Sequence, residues 1–323
     1  MKRLLTIVVF GLVAATGAWA QNYPTRPLLL IVPYPPGGLS DAVARPVAEA
    51  MQGPLGQTIV IANVGGANGS IGSARAARAA PDGYTLLLGI WNTHVSVAKL
   101  MKLDYDVVKD FVPIAYMTDA PLLFTVHRSV PVNTFKELVG WLTANPDKAS
   151  SGSAGIGSPP HLLDEVVRQQ TKTRFQTVHY KGAGPIMQDL LGGQIQMAFL
   201  NPATAAPHVR SGVIKAVGVT SPQRMKILPE VPTMSEAGFP GGMEFSLWTA
   251  IYGPKGMPKP VIDTVNRAVV AALAEPKVRE LFARQGVEIA PREKQTPESL
   301  AAIQRAEIKK WWPIIEASGI KAQ

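Results

Sequence analysis

The chain has 323 residues, no cysteine, and a formal charge of +9 from 32 Lys and Arg against 23 Asp and Glu. The missing thiols exclude disulfides, thiol catalysis, iron–sulfur clusters and a lipid anchor on an N-terminal cysteine. Lys and Arg are scattered, with no run of five and no interleaved aromatics. The positive balance therefore reads as solvated surface with mild attraction for anions, and no nucleic-acid partner is expected.

Lys2 and Arg3 precede an apolar stretch from about Leu4 to Ala14 and the small-residue pattern Ala18-Trp19-Ala20. This is the pattern of a secretory signal over residues 1–20, cleaved near Ala20, and it is too short to span a bilayer. Export takes the mature chain out of the cytoplasm. Its length exceeds the usual single-core limit, so two domains are expected.

Leu28–Val32 (LLLIV) reads as a strand. The turn VPYPPGGLSD, Val32–Asp41, joins it to a helix over Asp41–Gln52, with Ser40 or Asp41 as cap and Pro46 expected to kink the helix or end its first turns. Such a turn offers backbone N–H groups and the positive end of a helix to an anion. Thr58–Ala62 follows as strand, Ser70–Ala80 as helix and Pro81–Gly89 as a turn entering a buried strand. Leu122–His127 is a strand. Thr134–Asn145 is a helix with Thr134 and Glu137 as a capping box. SGSAGIGSPPHL, Ser151–Leu162, leads from a short strand into a helix ending near Thr171. Thr177–Tyr180 is a strand, KGAGP a turn and Pro185–Leu191 a helix. Ile195–Leu200, Ala216–Thr220 and Phe245–Tyr252 are strands; Lys259–Ala274, Pro276–Gln285 and Pro297–Ala317 are helices. The alternation defines an α/β chain. The strand, Gly/Pro loop and helix start near residue 36 is echoed near residue 156, which suggests two lobes enclosing a small anion.

Enzyme chemistry finds little footing. Ser153 lacks the Gly-x-Ser-x-Gly elbow, Gly65–Gly72 lacks dinucleotide spacing, and His94, His127, His161, His179 and His208 show no close metal-ligand spacing. No catalytic residue, metal or cofactor is expected, and an exported hydrolase stands as the weaker alternative.

The motifs VPYPPGGLSD, PDGYTLLLG, GSAGIGSPPHL, VHYKGAGP, DLLGGQIQMAF, VTSPQR…LPEVPTMSEAG and RAEIKKW…IIEASGIK, in this order from about Tyr23 to Ile320, resemble the Bug-type extracytoplasmic solute receptors. These are the binding components of tripartite tricarboxylate transporters. The resemblance implies a type II periplasmic binding protein: two α/β lobes, joined by two hinge crossings near Pro121 and Glu244, with a ligand cleft between them. Residues 21–121 and 245–323 would form one lobe and 122–244 the other. It further implies a monomer that carries a small carboxylate to inner-membrane transporter subunits. A ligand-occupancy sensor for a membrane kinase would use the same fold.

Carried onto this chain, the ligand loops are Tyr34, Pro36, Gly37 and Gly38 in one lobe and Ser153, Ala154, Gly155 and Ser158 in the other. Trp91, Asn92 and Thr93 lie at the cleft edge, where many relatives carry a small Gly-Thr/Ala segment. Trp91 offers either a flat wall to the ligand or ordinary packing. His161 either orients the helix start or contacts the ligand, and Tyr180 ends a strand beside the solvated Lys181. Asn201 follows Leu200 where many relatives have Asp-Asn, which disfavours an amino-acid ligand and favours a carboxylate with an apolar body.

Overall fold

The computed structural model describes residues 23–320, so the expected signal segment lies outside the described residues. In chain order the elements are β1 (Leu28–Val32), α1 (Leu39–Leu55), β2 (Ile59–Asn63), α2 (Ser70–Ala77), β3 (Thr85–Ile90), a wide helical turn Asn92–Ser96 running into α3 (Val97–Leu100), β4 (Phe111–Asp119), β5 (Leu123–His127), α4 (Phe135–Ala144) and β6 (Ser150–Ser153). There follow α5 (Pro159–Thr171), β7 (Gln176–His179), α6 (Ala183–Leu191), β8 (Met197–Leu200), α7 (Pro202–Arg210), β9 (Ile214–Val219), β10 (Thr249–Pro254), α8 (Lys259–Ala274), α9 (Pro276–Arg284), β11 (Glu288–Ile289) and α10 (Pro297–Ser318).

The strands form two sheets. The first has six strands in the order β11-β4-β10-β3-β1-β2, and the second five in the order β7-β6-β8-β5-β9. Within the first, β1, β2 and β3 are parallel, and β10 runs against both β3 and β4. The ends Val32, Asn63, Ile90 and Asp119 therefore share one edge. Within the second, β6 is parallel to β7 and β8, while β5 runs against β8 and β9. Ser153, His179, Leu200 and Val219 end on one edge, beside the start of β5. The chain passes between the two sheets at Ala120–Pro121 and at Ser246–Leu247. Pro121 pairs with Ser246 there, the Leu247 amide donates to Ala120 O at 3.0 Å, and the Ala120 amide donates to Ser246 Oγ at 3.0 Å. These crossings leave from the shared edges, so the strand ends of the two lobes face each other, the arrangement in which open α/β sheets bind ligands.

Two expectations yield to packing. α1 is not ended at Pro46 but continues past it and Pro54 to Leu55. Its inward face (Val43, Ala44, Val47, Ala48, Met51, Leu55) is at most 6% exposed. Several buried side chains, each contributing about 1.5–3 kcal/mol, outweigh the roughly 3 kcal/mol that an internal proline costs. β4, absent from the sequence reading, contains Pro113, which usually excludes a strand. The neighbouring β11 pairs only with Thr118 and Asp119, so Pro113 sits where that flank of β4 has no partner, and the ladder with β10 is irregular at Ile251/Tyr252.

The capping box on α4 is present with both bonds: Glu137 N–H donates to Thr134 Oγ1 at 3.2 Å, and the Glu137 carboxylate accepts from the Thr134 amide at 3.3 Å. Among the described residues no helix is long and apolar enough to cross a membrane.

Candidate ligand cleft between the lobes

The first corner is the β1–α1 turn. Gly37 has φ +87, a left-handed conformation that glycine adopts without strain, and Gly38 stands as cap residue with no side-chain cap bond. This corrects the expectation of a Ser40 or Asp41 cap. Asp41 is the third helical residue, and its carboxylate reaches back to the Gly37 amide at 3.0 Å. The same carboxylate accepts from Arg45 Nε at 2.8 Å and Asn63 Nδ2 at 3.0 Å, and Asn63 Nδ2 also donates to Tyr34 O at 3.1 Å. The Gly37 amide, expected to face the ligand, is therefore engaged. The first helical amides after Gly38 remain uncapped by any side chain and supply the anion-attracting groups. Tyr34 points to the loop before α2, its hydroxyl donating to Asn68 O at 3.0 Å. Pro36 is exposed beside it.

The Arg45 hydrogen bond, aided by the bonds from Gly37 and Asn63, holds the Asp41 carboxyl down to about 2. A depressed carboxyl stabilises the fold above its unfolded value near 4 and loses that stabilisation as pH falls towards 2. Asp41→Ala is expected to cost about 1.5–3 kcal/mol at neutral pH. In urea titrations the gap to the parent should close between about pH 4 and pH 2; a gap independent of pH would contradict this role.

The second corner is the β6–α5 loop. Gly155 (φ +117) and Gly157 (φ +73) turn the chain, with Ala154 exposed at the tip. Pro159 and Pro160 occupy the first two helical positions, as the sequence suggests, and Ser158 is the cap residue. Its hydroxyl makes no cap bond; it is buried and has no hydrogen-bond partner. With prolines at the helix start contributing no N–H, the donors this corner can offer an anion are hydroxyls and loop amides. The Gly157 amide is taken by His161 Nδ1 at 3.0 Å, so His161 braces the loop. Ser153 Oγ lies 2.6 Å from His179 Nδ1, a residue that sequence reasoning did not place in the site. Their pairing follows from register: Ser153 stands opposite His179 across parallel β6 and β7.

The remaining candidates separate. Thr93 is fully buried, its hydroxyl accepting from the Ile90 amide at 3.1 Å and lying 2.9 Å from His94 Nδ1. Asn92 is half-buried, and its Oδ1 is buried without a partner. Trp91 is 0% exposed, edge-on to Phe245 at 5.0 Å and to Trp311 at 5.3 Å, with Nε1 donating to Glu307 at 2.7 Å. This geometry gives Trp91 to packing and leaves no flat wall for a ligand. Asn201 caps α7, its Oδ1 accepting from the Ala203 amide at 2.8 Å, and Tyr180 donates to Asp189 at 2.6 Å. Both stand at the facing edge, with Asn201 Oδ1 and the Tyr180 hydroxyl already engaged.

The lobes touch on either side of this cleft. A Cβ built on Gly157 would lie 2.6 Å from Leu100 Cδ1, and one on Gly286 would lie 3.1 Å from Pro202 Cβ. Fold and facing corners define a two-lobed α/β solute-binding protein. The chain belongs to the tripartite tricarboxylate transporter receptor family, whose pattern it matches over residues 43–320. Protein BugT of Bordetella pertussis (strain Tohama I) is 35% identical, covering 99% of each chain. The solved structure of the periplasmic binding protein BugD is 36% identical with a TM-score of 0.79, covering 93% of this chain and 100% of that one. MatC from Rhodopseudomonas palustris, solved with bound malate, is 33% identical with a TM-score of 0.79, covering 91% and 100%.

Proposed function

We propose that the protein captures a small carboxylate in the periplasm, between the turn Tyr34–Gly38 and the loop Ser153–Ser158, and hands it to an inner-membrane tripartite tricarboxylate-type transporter. The observation that carries this reading is the opposition of two helix-start corners on facing strand ends, one rich in uncapped amides and the other in hydroxyls. Residues 21–121 and 245–323 make the first lobe and 122–244 the second, a division supported by the pairing of Pro121 with Ser246. Malate bound to MatC supports a dicarboxylate as the first class to test. Each hydrogen bond to a carboxylate contributes about 1.5–3 kcal/mol, so a few suffice for micromolar binding near −8 kcal/mol. Only the closed form contacts the anion from both lobes, and the ligand therefore favours closure.

The Ser153–His179 contact also fits a hydrolase. Against that reading, α5 begins six residues after Ser153, at Pro159, instead of directly on a strained elbow, and the neighbour of His179 is the His161 ring at 4.6 Å, not a carboxylate.

A thermal-shift screen of malate, succinate and benzoate, followed by calorimetry and mass analysis, tests the proposal. A receptor raises the melting temperature and returns the acid unaltered; a hydrolase accepts ester analogues and consumes them. Ser153→Ala is expected to weaken the acid that binds by about 3- to 10-fold, less than the full value of a hydrogen bond to a carboxylate because water can enter the space the hydroxyl leaves. An unchanged affinity would remove Ser153 from the site.

A further inference from the structure

We propose that His179 is a working part of the ligand grip: the carboxylate binds together with a proton taken up on His179 Nδ1, which frees the Ser153 hydroxyl to donate to the ligand. The inference rests on the cleft reading above and names the residue that makes the second corner selective for an anion.

The two histidines of this corner differ in what their Nδ1 atoms do. His161 Nδ1 accepts from the Gly157 amide at 3.0 Å, so its ring is neutral with the proton on Nε2, 3.8 Å from Glu165 Oε1. Protonating that Nδ1 would break the bond that holds the loop. His179 Nδ1 meets only the Ser153 hydroxyl, at 2.6 Å, a partner that can donate or accept. While His179 is neutral at Nδ1, Ser153 spends its one proton on the ring and offers a ligand carboxylate nothing but lone pairs. Once the ring takes up a second proton, Nδ1 donates to Ser153 Oγ, and the hydroxyl proton leaves the ring for the side on which Gly155 O lies at a long 3.5 Å, free to meet a ligand oxygen instead. The same switch places a positive charge beside the bound anion.

The surroundings disfavour the charged ring in the absence of an anion. Facing it are Ser153 on β6 and, on α5, the edge-on His161 ring and the Arg168 charge; Tyr180, bonded to Asp189 of α6, and Lys181 follow in the chain. Partial desolvation against the β6–α5 corner, and then the Arg168 charge, hold the imidazole below its ordinary range. Arg168 is itself anchored on Glu165 and on Thr177 Oγ1 at 3.0 Å, so its charge is a fixed part of the corner. An arriving carboxylate opposes that charge and raises the proton affinity of His179. A group whose pKa rises on binding takes up a proton between its free and bound values. Affinity therefore increases as pH falls through that window and levels off below it.

The test is calorimetry of the mature chain with malate, succinate and benzoate from about pH 8 to pH 6, each in buffers of different ionisation enthalpy. The parent should take up a fraction of a proton per acid bound, with affinity rising by up to tenfold per pH unit across the window. His179→Asn keeps a hydrogen-bonding group near the Nδ1 position but does not titrate. It should bind with no proton uptake and with an affinity that stays flat across this pH range. His179 is exposed on the edge strand β7, so the variant should keep its fold. Binding by the parent without proton uptake, or uptake that survives in His179→Asn, overturns the proposal while leaving the cleft intact. If none of the three acids binds, the cleft reading itself fails and the role of His179 falls with it.

Discussion

Trp91→Ala is expected to lower the unfolding free energy by about 3–5 kcal/mol, the range for truncating a buried aromatic side chain. The Trp91 ring is 0% exposed and edge-on to Phe245, in the segment that returns from the second lobe, and to Trp311 on α10. It ties three distant stretches of chain together beside the hinge. Its Nε1 is also the hydrogen-bond donor to Glu307, whose carboxyl burial pushes up. Trp91→Phe retains most of the ring contacts but leaves that acid without its indole partner, and should cost about 1–3 kcal/mol. Denaturant unfolding followed by circular dichroism reads both. A stability loss with ligand affinity kept, once both chains are folded, identifies packing as the role. If Trp91→Phe instead changes affinity with stability intact, the ring is a ligand wall and the burial argument is wrong.

Gly157→Val should weaken ligand binding at least tenfold, about 1.4 kcal/mol or more. Two causes act together. Gly157 has φ +73, where a β-branched residue is strained by about 1–2 kcal/mol, and its new Cβ would come within 2.6 Å of Leu100 Cδ1 across the lobe boundary. The loop must shift, and it takes with it the Gly157 amide that His161 holds and the hydroxyls of Ser153 and Ser158. Adding Leu100→Ala removes the methyl groups that the valine meets while leaving the backbone strain. The double variant should therefore recover part of the affinity, and titration calorimetry of the four chains forms the cycle. Unchanged binding in Gly157→Val would show that this loop does not hold the ligand.

Much of the layered framework can be read from local pattern. α8 spans Lys259–Ala274 as its periodicity indicates, and α4 carries the Thr134–Glu137 capping box written in its sequence. β1 and α5 are equally legible, because strand runs, caps and N-terminal prolines act over a few residues. The misses are places where a neighbour distant in sequence overrides a local signal. Pro113 is tolerated in β4 because that flank of the strand is unpaired, and α1 survives Pro46 because its inner face is sealed under other elements. α7 begins at Pro202 behind an Asn201 cap, and no apolar periodicity announces it.

The same division runs through the ligand cleft. The amino-acid sequence by itself determined which chemistry is present at each corner: glycines that permit a tight turn at Gly37 and Gly157, hydroxyls at Ser153 and Ser158, and prolines that open α5. Only the tertiary structure decided which of those groups are free. Asp41 takes the Gly37 amide, His161 takes the Gly157 amide, Trp91 is withdrawn into the core, and His179 arrives opposite Ser153 from 26 residues away. Each donor can serve only a limited number of acceptors. The winner is set by strand register and lobe contact, which depend on the whole chain and not on any short segment of it.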